Sequence, residues 1–321
     1  MHTFKELVAD FGEYFSVKHF PASPASLYDP GDYFLSWGGK RIRPVMCLMG
    51  NELFAPIIPD SYRVATAIEL FHNFTLIHDD IMDEAPLRRG METVHMKYGS
   101  NTALLTGDVM MIRAYEYLAL INSQYLPRIL SLFNRTAKEV CEGQQLDIDF
   151  EKMSNVSLDA YIEMISLKTS VLLAASLEMG AILGGASEGN CKHLYEFGKN
   201  LGIAFQIQDD YLDAFGDPEK FGKEVGGDIR QNKKTFLLLH ALEVANAEQK
   251  KKLEQLMEQN PGDKVQQVLA IFKDCQVAEW ARELKEKYLQ TARKHLDDIA
   301  VMAVRKKPLE ELADFLIQRE H

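Results

Sequence analysis

Cysteine is scarce in this chain and never paired in sequence. The four cysteines, Cys47, Cys141, Cys191 and Cys275, stand far apart among 321 residues. None forms a CxxC pair, so no disulfide framework or Cys-based metal site is indicated, and reduced, mostly buried thiols are expected. A basic excess is lacking too. Lys and Arg total 36 against 47 Asp and Glu, a formal net charge of −11. A nucleic-acid binder would show a basic face, so no nucleic-acid partner is expected. No stretch approaches the roughly 20 apolar residues that span a bilayer. The first twenty residues carry Lys5, Glu6, Asp10 and Glu13 where a secretory leader would have an unbroken apolar core. A cytoplasmic protein without a membrane span is the expectation, although such a protein can still enclose a greasy substrate. Repeats of 20–50 residues, low-complexity segments and strand-like alternation are missing or rare.

What is present is helical periodicity. Residues 63–81 place Ala67, Ile68, Phe71, Phe74, Thr75 and Ile77 at helical spacing. The same pattern predicts helices over 102–123, 128–149, 158–183, 191–215, 233–244, 247–259, 263–274 and 276–296. Pro and Gly separate these runs, at Pro56, Pro59, Pro86, Gly99, Pro127, Gly184-Gly185 and Pro261-Gly262. No shift in composition marks a domain boundary. The expected architecture is one all-α domain over 1–321, a large helical bundle, and bundles build their sites between facing helices.

Two acidic clusters stand out. Asp79-Asp80-Ile81-Met82-Asp83 closes one apolar run and Asp209-Asp210-Tyr211-Leu212-Asp213 closes another, both with the pattern Asp-Asp-x-x-Asp. In a helix, positions i and i+4 share a face, so Asp79 pairs with Asp83 and Asp209 with Asp213. Carboxylates held that close repel unless a cation joins them, and oxygen-only ligands suit Mg²⁺. One such cluster fits a solvated helix end equally well. Two copies of one spacing, each at the unfavourable negative end of a helix dipole, favour metal.

Basic residues run against the acidic background. Gly38-Gly39-Lys40-Arg41-Ile42-Arg43-Pro44 sets three cations beside two glycines. Arg88-Arg89-Gly90 follows the first acidic cluster, Lys168-Thr169 lies within a predicted helix, and Lys223, Lys233 and Lys234 follow the second cluster. Arg supplies bidentate forks for phosphate and Lys a point charge. A glycine pair lets backbone approach an anion, and is as often only a turn. Part of the last lysine group fits a solvated face.

In this order the stretches Gly38–Pro44, Asp79–Gly90, Lys168–Ser170, Phe205–Asp213 and Lys223–Thr235 resemble the linked motifs of the trans-isoprenyl diphosphate synthase family, of the short-chain type that makes farnesyl or geranylgeranyl diphosphate. The resemblance implies an isoprenoid synthase-like bundle with a central elongated cavity. It implies a Mg²⁺-dependent prenyltransferase that joins isopentenyl diphosphate head to tail to an allylic diphosphate (dimethylallyl, geranyl or farnesyl). By motif position Asp79, Asp83 and Asp209 match metal ligands. Asp80, Asp210 and Asp213 match ligands or orienters of metal-bound water. Arg88, Lys168, Lys223 and Lys233 match contacts to the allylic diphosphate, and Lys40, Arg43, His72 and Arg89 match contacts to isopentenyl diphosphate, bound without metal. On its residue type alone, His72 fits a satisfied core histidine as well. Thr169, the Lys168 backbone and Gln206 would aim oxygen dipoles at the transient allylic cation, although helix-internal hydrogen bonds would also explain Thr169 and Gln206. In the family the departing diphosphate takes the final proton, so no protein base is implied. A homodimer is implied as well.

Residues upstream of the first acidic cluster would floor the tunnel for the growing chain, which places Phe71, Phe74 and Thr75 there. At 1.5 Å per residue, Phe74 and Phe71 lie about 7.5 and about 12 Å along the helix from Asp79. An aromatic at the fifth position before the cluster and a small residue at the fourth resemble synthases that stop at geranylgeranyl. Core filling explains both phenylalanines equally. A class I terpene cyclase also ionises an allylic diphosphate, but it would carry an Asn/Ser/Glu motif in place of the second cluster and have no use for Lys40 and Arg43. A non-catalytic partner subunit often loses one cluster, and both are whole here.

Overall fold

The computed structural model describes residues 1–153, 155–216 and 225–317. The all-α expectation is borne out: apart from one two-residue hairpin, regular structure among the described residues is helical. The helices are α1 (Phe4–Phe15), α2 (Ala25–Leu35), α3 (Ile42–Phe54), α4 (Pro59–Met82), α5 (Val94–Tyr98), α6 (Ser100–Ala119), α7 (Leu126–Lys152), α8 (Leu158–Ile165), α9 (Val171–Leu183) and α10 (Glu188–Phe215). They continue as α11 (Gly227–Arg230), α12 (Phe236–Val244), α13 (Ala247–Gln259), α14 (Lys264–Asp274), α15 (Val277–Asp297) and α16 (Ala303–Ile317). A π-helical turn, Ser166–Ser170, links α8 to α9. The run predicted as one helix over 158–183 is therefore interrupted at its centre.

Two further expectations need correction. The run Leu158–Leu183 is long and apolar enough, by length and composition, to cross a membrane. Of that window, 78% is buried inside the protein, as a core helix would be. The cysteines are all free, but only Cys47 and Cys191 are buried, and Cys141 is exposed.

The chain divides into two compact units. The first comprises Met1–Phe133, Ser176–Cys191 and Val301–Pro308. Its axis is α4, which buries Val64, Ala65, Ala67, Ile68, Leu70, Phe71 and Ile77 and so is apolar nearly all round. Helix α3 is buried continuously from Pro44 to Leu53. Asn51 fixes the turn between the two: its Oδ1 accepts from Ile58 N at 3.2 Å and Ser61 Oγ at 2.5 Å, and its Nδ2 donates to the Ala55 and Pro56 carbonyls. Against α3 lies the stretch from Ser176, and glycines set how close it comes. A Cβ at Gly180 would overlap the Cys47 carbonyl, and one at Gly50 would overlap the Leu177 carbonyl. The N-terminal helix, absent from the predicted set, begins at a capping box in which Thr3 and Glu6 satisfy each other's backbone N–H.

The second unit comprises Asn134–Ala175, Lys192–Ala300 and the chain from Leu309. Its core gathers Tyr161, Ile165, Ile203, Ile207, Phe236 and Phe272. Trp280 packs against it, stacked 3.6 Å from His240 and tilted 5.7 Å from Phe236.

Gly180→Ala should cost about 1–3 kcal/mol, because backbone lies where the new methyl would go. Gly12→Ala, in helix α1 with open space around the position, should instead stabilise by about 0.4–1 kcal/mol. Denaturant midpoints of the two variants should move in opposite directions from the parent.

Candidate active site

In the first unit the acidic cluster spans the end of α4. Asp83 is the C-cap residue, and its N–H bonds the Asp79 carbonyl at 2.8 Å, so both side chains stay on one helical turn. Asp79 is half-buried and Asp83 exposed. The middle residue differs. Asp80 is 1% exposed, and Arg88 Nε donates to its Oδ1 at 2.8 Å. Burial raises the Asp80 pKa and the Arg88 guanidinium opposes that rise. Its Oδ2 is shielded from solvent and has no hydrogen-bond partner.

Arg88 reaches Asp80 from a hairpin too short for periodicity to reveal. Strands β1 (Leu87–Arg88) and β2 (Met91–Glu92) pair antiparallel, with Arg88 opposite Met91. Arg89 and Gly90 form the turn with φ of 54° and 77°, the two positive values of a type I′ hairpin. The turn sends Arg89 to the Gly38 carbonyl, to which its Nη1 donates. A Cβ at Gly39 would lie 3.0 Å from the same Nη1. The room beside Gly39 is thus taken by a guanidinium, whereas Gly38 has open space around it.

Arg43 and His72 lie side by side. Arg43 Nη1 lies 3.1 Å from His72 Nε2. A guanidinium only donates, so Nε2 accepts and His72 is the neutral tautomer protonated at Nδ1. Burial, then the charges of Arg43, Arg89, Arg88 and Arg41, hold the His72 pKa well below its ordinary value. Burial also pulls Arg43 down to about 10. Lys40 is exposed at the start of this segment. Of the aromatic floor, Phe71 is fully buried, 5.3 Å from Phe133 and 5.7 Å from Phe74. Phe74 is only half-buried and sits 4.7 Å from His78. Thr75 Oγ1 donates to the His72 carbonyl at 2.8 Å.

In the second unit the cluster lies near the end of α10. Asp209 is half-buried. Asp210 is buried and accepts from Tyr161 Oη at 2.5 Å and from Gln206 Nε2 at 2.9 Å. Burial pushes Asp210 up to about 7; the two hydrogen bonds oppose it, and the charges of Asp228 and Asp209 add to it. Asp213 turns to the next segment: its Oδ2 accepts from Asp228 N at 3.0 Å and its carbonyl from Gly226 N at 2.7 Å. It therefore anchors the start of α11. Lys168 lies on the π turn and donates to Asp147 Oδ2 at 2.5 Å. Thr169 Oγ1 lies 3.4 Å from Gln206 Oε1. Lys233 pairs with Asp228 at 3.2 Å. Lys234 donates to the carbonyls of Phe150, Glu151 and Met153 and so caps the end of α7. Lys223 lies outside the described residues.

The two clusters share a pattern. In each, the second aspartate is buried and hydrogen-bonded, and the first is half-buried. Among the described residues no three His, Cys, Asp or Glu side chains converge as a ready-made metal cage. Mg²⁺ is held through one or two carboxylates plus substrate phosphates and water, and so asks for no such cage. The oxygen-only donors of Asp79, Asp83 and Asp209, each less buried than the second aspartate of its cluster, fit such an ion.

Comparison with known proteins agrees. Residues 24–274 match the model of the polyprenyl synthetase family. The chain belongs to that family. A short chain isoprenyl diphosphate synthase of Methanothermobacter thermautotrophicus is 36% identical over 302 residues, covering 93% of this chain and 92% of the relative. A crystal structure of a geranylgeranyl pyrophosphate synthase superimposes with a TM-score of 0.94 at 44% identity, over 100% of both chains. A polyprenyl synthase from Caulobacter crescentus, solved with calcium and isoprenyl diphosphate, superimposes with a TM-score of 0.87 at 28% identity, over 99% of this chain and 96% of its own. The enzyme reading is borne out: this is a short-chain trans-prenyltransferase, and a cyclase or a non-catalytic subunit is set aside.

Sequence reasoning about this synthase missed the residues that hold its cations and acids in place. Glu69 pairs with Arg41, Asp147 with Lys168, Asp228 with Lys233, and Tyr161 with Asp210. A signal existed for Glu69. It is a lone carboxylate inside the apolar run Ala67-Ile68-Glu69-Leu70-Phe71, and a buried charge demands a partner.

His72 generates a pH prediction. Its folded pKa lies below its unfolded value near 6.5, so the unfolded chain takes up the proton first. The associated stability is fully present above pH 6.5 and is lost as pH falls toward the folded pKa, with a slope of at most about 1.4 kcal/mol per pH unit. Thermal melts at pH 7.5 and 5.5 should therefore show a smaller acid loss for His72→Gln than for the parent. An equal loss in both proteins would show that His72 is already protonated in the fold.

Proposed function

We propose that the enzyme condenses isopentenyl diphosphate with an allylic diphosphate, using Mg²⁺ on both acidic clusters, to give geranylgeranyl or farnesyl diphosphate. The observation that carries this is the shared arrangement of the clusters, in which one buried, partnered aspartate positions less buried neighbours. Asp79, Asp83 and Asp209 would hold the metal, because Asp80 is committed to Arg88, Asp210 to Tyr161 and Gln206, and Asp213 to α11. Bound there, Mg²⁺ would offset the charge that builds on the departing diphosphate.

The protein's own groups complete the site. Arg88, Lys168, Lys223 and Lys233 would bind the allylic diphosphate as cations. Lys40, Arg43, Arg89 and neutral His72 would bind isopentenyl diphosphate, with His72 Nδ1–H as a donor. Gln206 gives its amide N–H to Asp210, which turns its Oε1 toward Thr169 Oγ1. That orientation supports an oxygen dipole directed at the allylic cation. Asp210 thus selects which end of the Gln206 amide is presented.

For assembly we propose a homodimer. Helix α6 packs along α4 on one side, yet leaves Leu104, Leu105 and Ile112 at 48%, 54% and 59% exposure. Large apolar side chains so exposed on one helix support a partner surface.

EDTA should abolish turnover and Mg²⁺ should restore it. Asp79→Ala and Asp209→Ala should each lower kcat by roughly 10²–10³-fold or more, with helical circular dichroism unchanged. Turnover that survives chelation would sink the metal assignment.

Chain length follows from the different burial of the two phenylalanines. Phe74→Ala opens space on the half-buried side of α4 and should lengthen the product seen by chromatography. Phe71→Ala should instead cost about 3–5 kcal/mol of stability, because that ring is buried against Phe133. A fixed product length in Phe74→Ala would place the floor elsewhere.

A further inference from the structure

Glu69 lies on α4 ten residues before Asp79, about 15 Å along the helix. It is 5% exposed, and nothing in the reaction as derived so far uses it. Its Oε1 pairs with Arg41 and accepts from Asn73 Nδ2 at 3.1 Å; the same Nδ2 bonds the Glu69 carbonyl at 2.7 Å. Asn73 therefore fixes the carboxylate to its own helix. Arg41 has no substrate role assigned either. It stands between Lys40 and Arg43, in the left-handed region at φ 50°, as the residue that opens α3. That conformation is unfavourable for a non-glycine residue and persists only where the surroundings impose it. Two contacts impose it here: the ion pair to Glu69, and the guanidinium lying 4.7 Å over the Phe15 ring.

Charge tells the same story. Arg41, Arg43 and Arg89 crowd one region, and the Glu69 carboxylate favours the charged forms of both Arg43 and Arg89. Glu69 is the acid that Arg41, Arg43 and Arg89 share, and Asp80 adds to it at Arg89.

We propose that Glu69 is a positioning residue for the metal-independent diphosphate: through Arg41 it sets the left-handed turn that aims Lys40 and Arg43. This rests on the assignment of Lys40, Arg43 and Arg89 to isopentenyl diphosphate. The sign of a mutational effect separates positioning from simple charge balance. A carboxylate beside an anion site repels the anion, so a purely electrostatic role predicts tighter binding when the charge is removed. A positioning role predicts weaker binding.

The test is initial-rate titration of each substrate with Glu69→Gln, Arg41→Met and the double variant. Glu69→Gln should raise the KM for isopentenyl diphosphate by about tenfold and leave that for the allylic diphosphate within about twofold. The double variant should be no worse than the poorer single variant by more than about twofold, since both act through one pair. An unchanged or lower KM for isopentenyl diphosphate in Glu69→Gln, or an equal rise for both substrates, overturns the proposal. Should Glu69→Gln fail to fold by circular dichroism, Arg41→Lys carries the test: it keeps the charge and loses the guanidinium geometry, so the same isopentenyl-specific rise is required. Lys40→Ala in the same assay checks the underlying assignment: a rise confined to the allylic substrate would refute that assignment whatever Glu69 does.

Discussion

A carboxylate buried among apolar helices must find donors or a cation, because its desolvation is otherwise too costly to survive in a folded chain. Of the buried carboxylates that meet that demand here, three lay out the candidate site by their solutions. Asp80 takes Arg88, which holds the hairpin against the end of α4. Asp210 takes Tyr161 and Gln206, which ties α8 to α10 and orients an amide. Glu69 takes Arg41 and Asn73, which fixes the entrance to α3. None of the three needs to touch substrate. Each uses its burial to place a neighbour: Arg88 and Gln206 are residues that the family resemblance marks, and Arg41 stands between two others, Lys40 and Arg43.

The same constraint separates roles inside each Asp-Asp-x-x-Asp motif. Spacing alone treats its aspartates as near equals, yet adjacent residues of a helix point about 100° apart. One of Asp79 and Asp80 must face the core if the other faces outward, and likewise for Asp209 and Asp210. The inward member becomes the structural acid, with its proton affinity raised by burial; the Asp210 pKa reaches about 7. The outward member stays more accessible. Asp213 departs from this symmetry because the chain folds back on it: Asp228 N–H and the start of α11 occupy its Oδ2, whereas Asp83 remains exposed.

Helix identity was legible where apolar spacing was long, and helix ends where a cap or Pro stood. The span 247–259, predicted from apolar spacing, matches the helix to the residue, and in the structure a capping box of Asn246 and Gln249 starts it. Other features left too little pattern. The hairpin at Leu87–Glu92 offers two residues per strand, below any period-2 signal, and only Arg89-Gly90 hints at it. Helix α3 is buried without a break, so it has no amphipathic stripe to find. The acidic clusters and most of the cations were legible as motifs. Their partners were not, because Asp147 and Lys168, or Tyr161 and Asp210, are 21 and 49 residues apart and meet only through packing.

The π turn shows the limit most clearly. A helix read at 3.6 residues per turn absorbs one extra residue without visible loss of pattern, so Ser166–Ser170 looked like ordinary helix. In the structure the Val171 N–H bonds back to the Ser166 carbonyl, five residues earlier. Such a widened turn weakens its own hydrogen bonds and needs support from outside. Glycines on two neighbouring helices allow that support to come close. A Cβ at Gly143 of α7 would overlap the Lys168 backbone, and one at Gly202 of α10 would lie 2.8 Å from Ser170 Cα. Clamped between them, the turn carries Lys168 toward Asp147 and Thr169 toward Gln206. A regular helix would rotate everything past Ser166 by about 100° and send those two side chains to different neighbours. The bulge is therefore what puts the Lys-Thr pair on the same side as the second acidic cluster, and the two glycines are the part of it that a sequence displays.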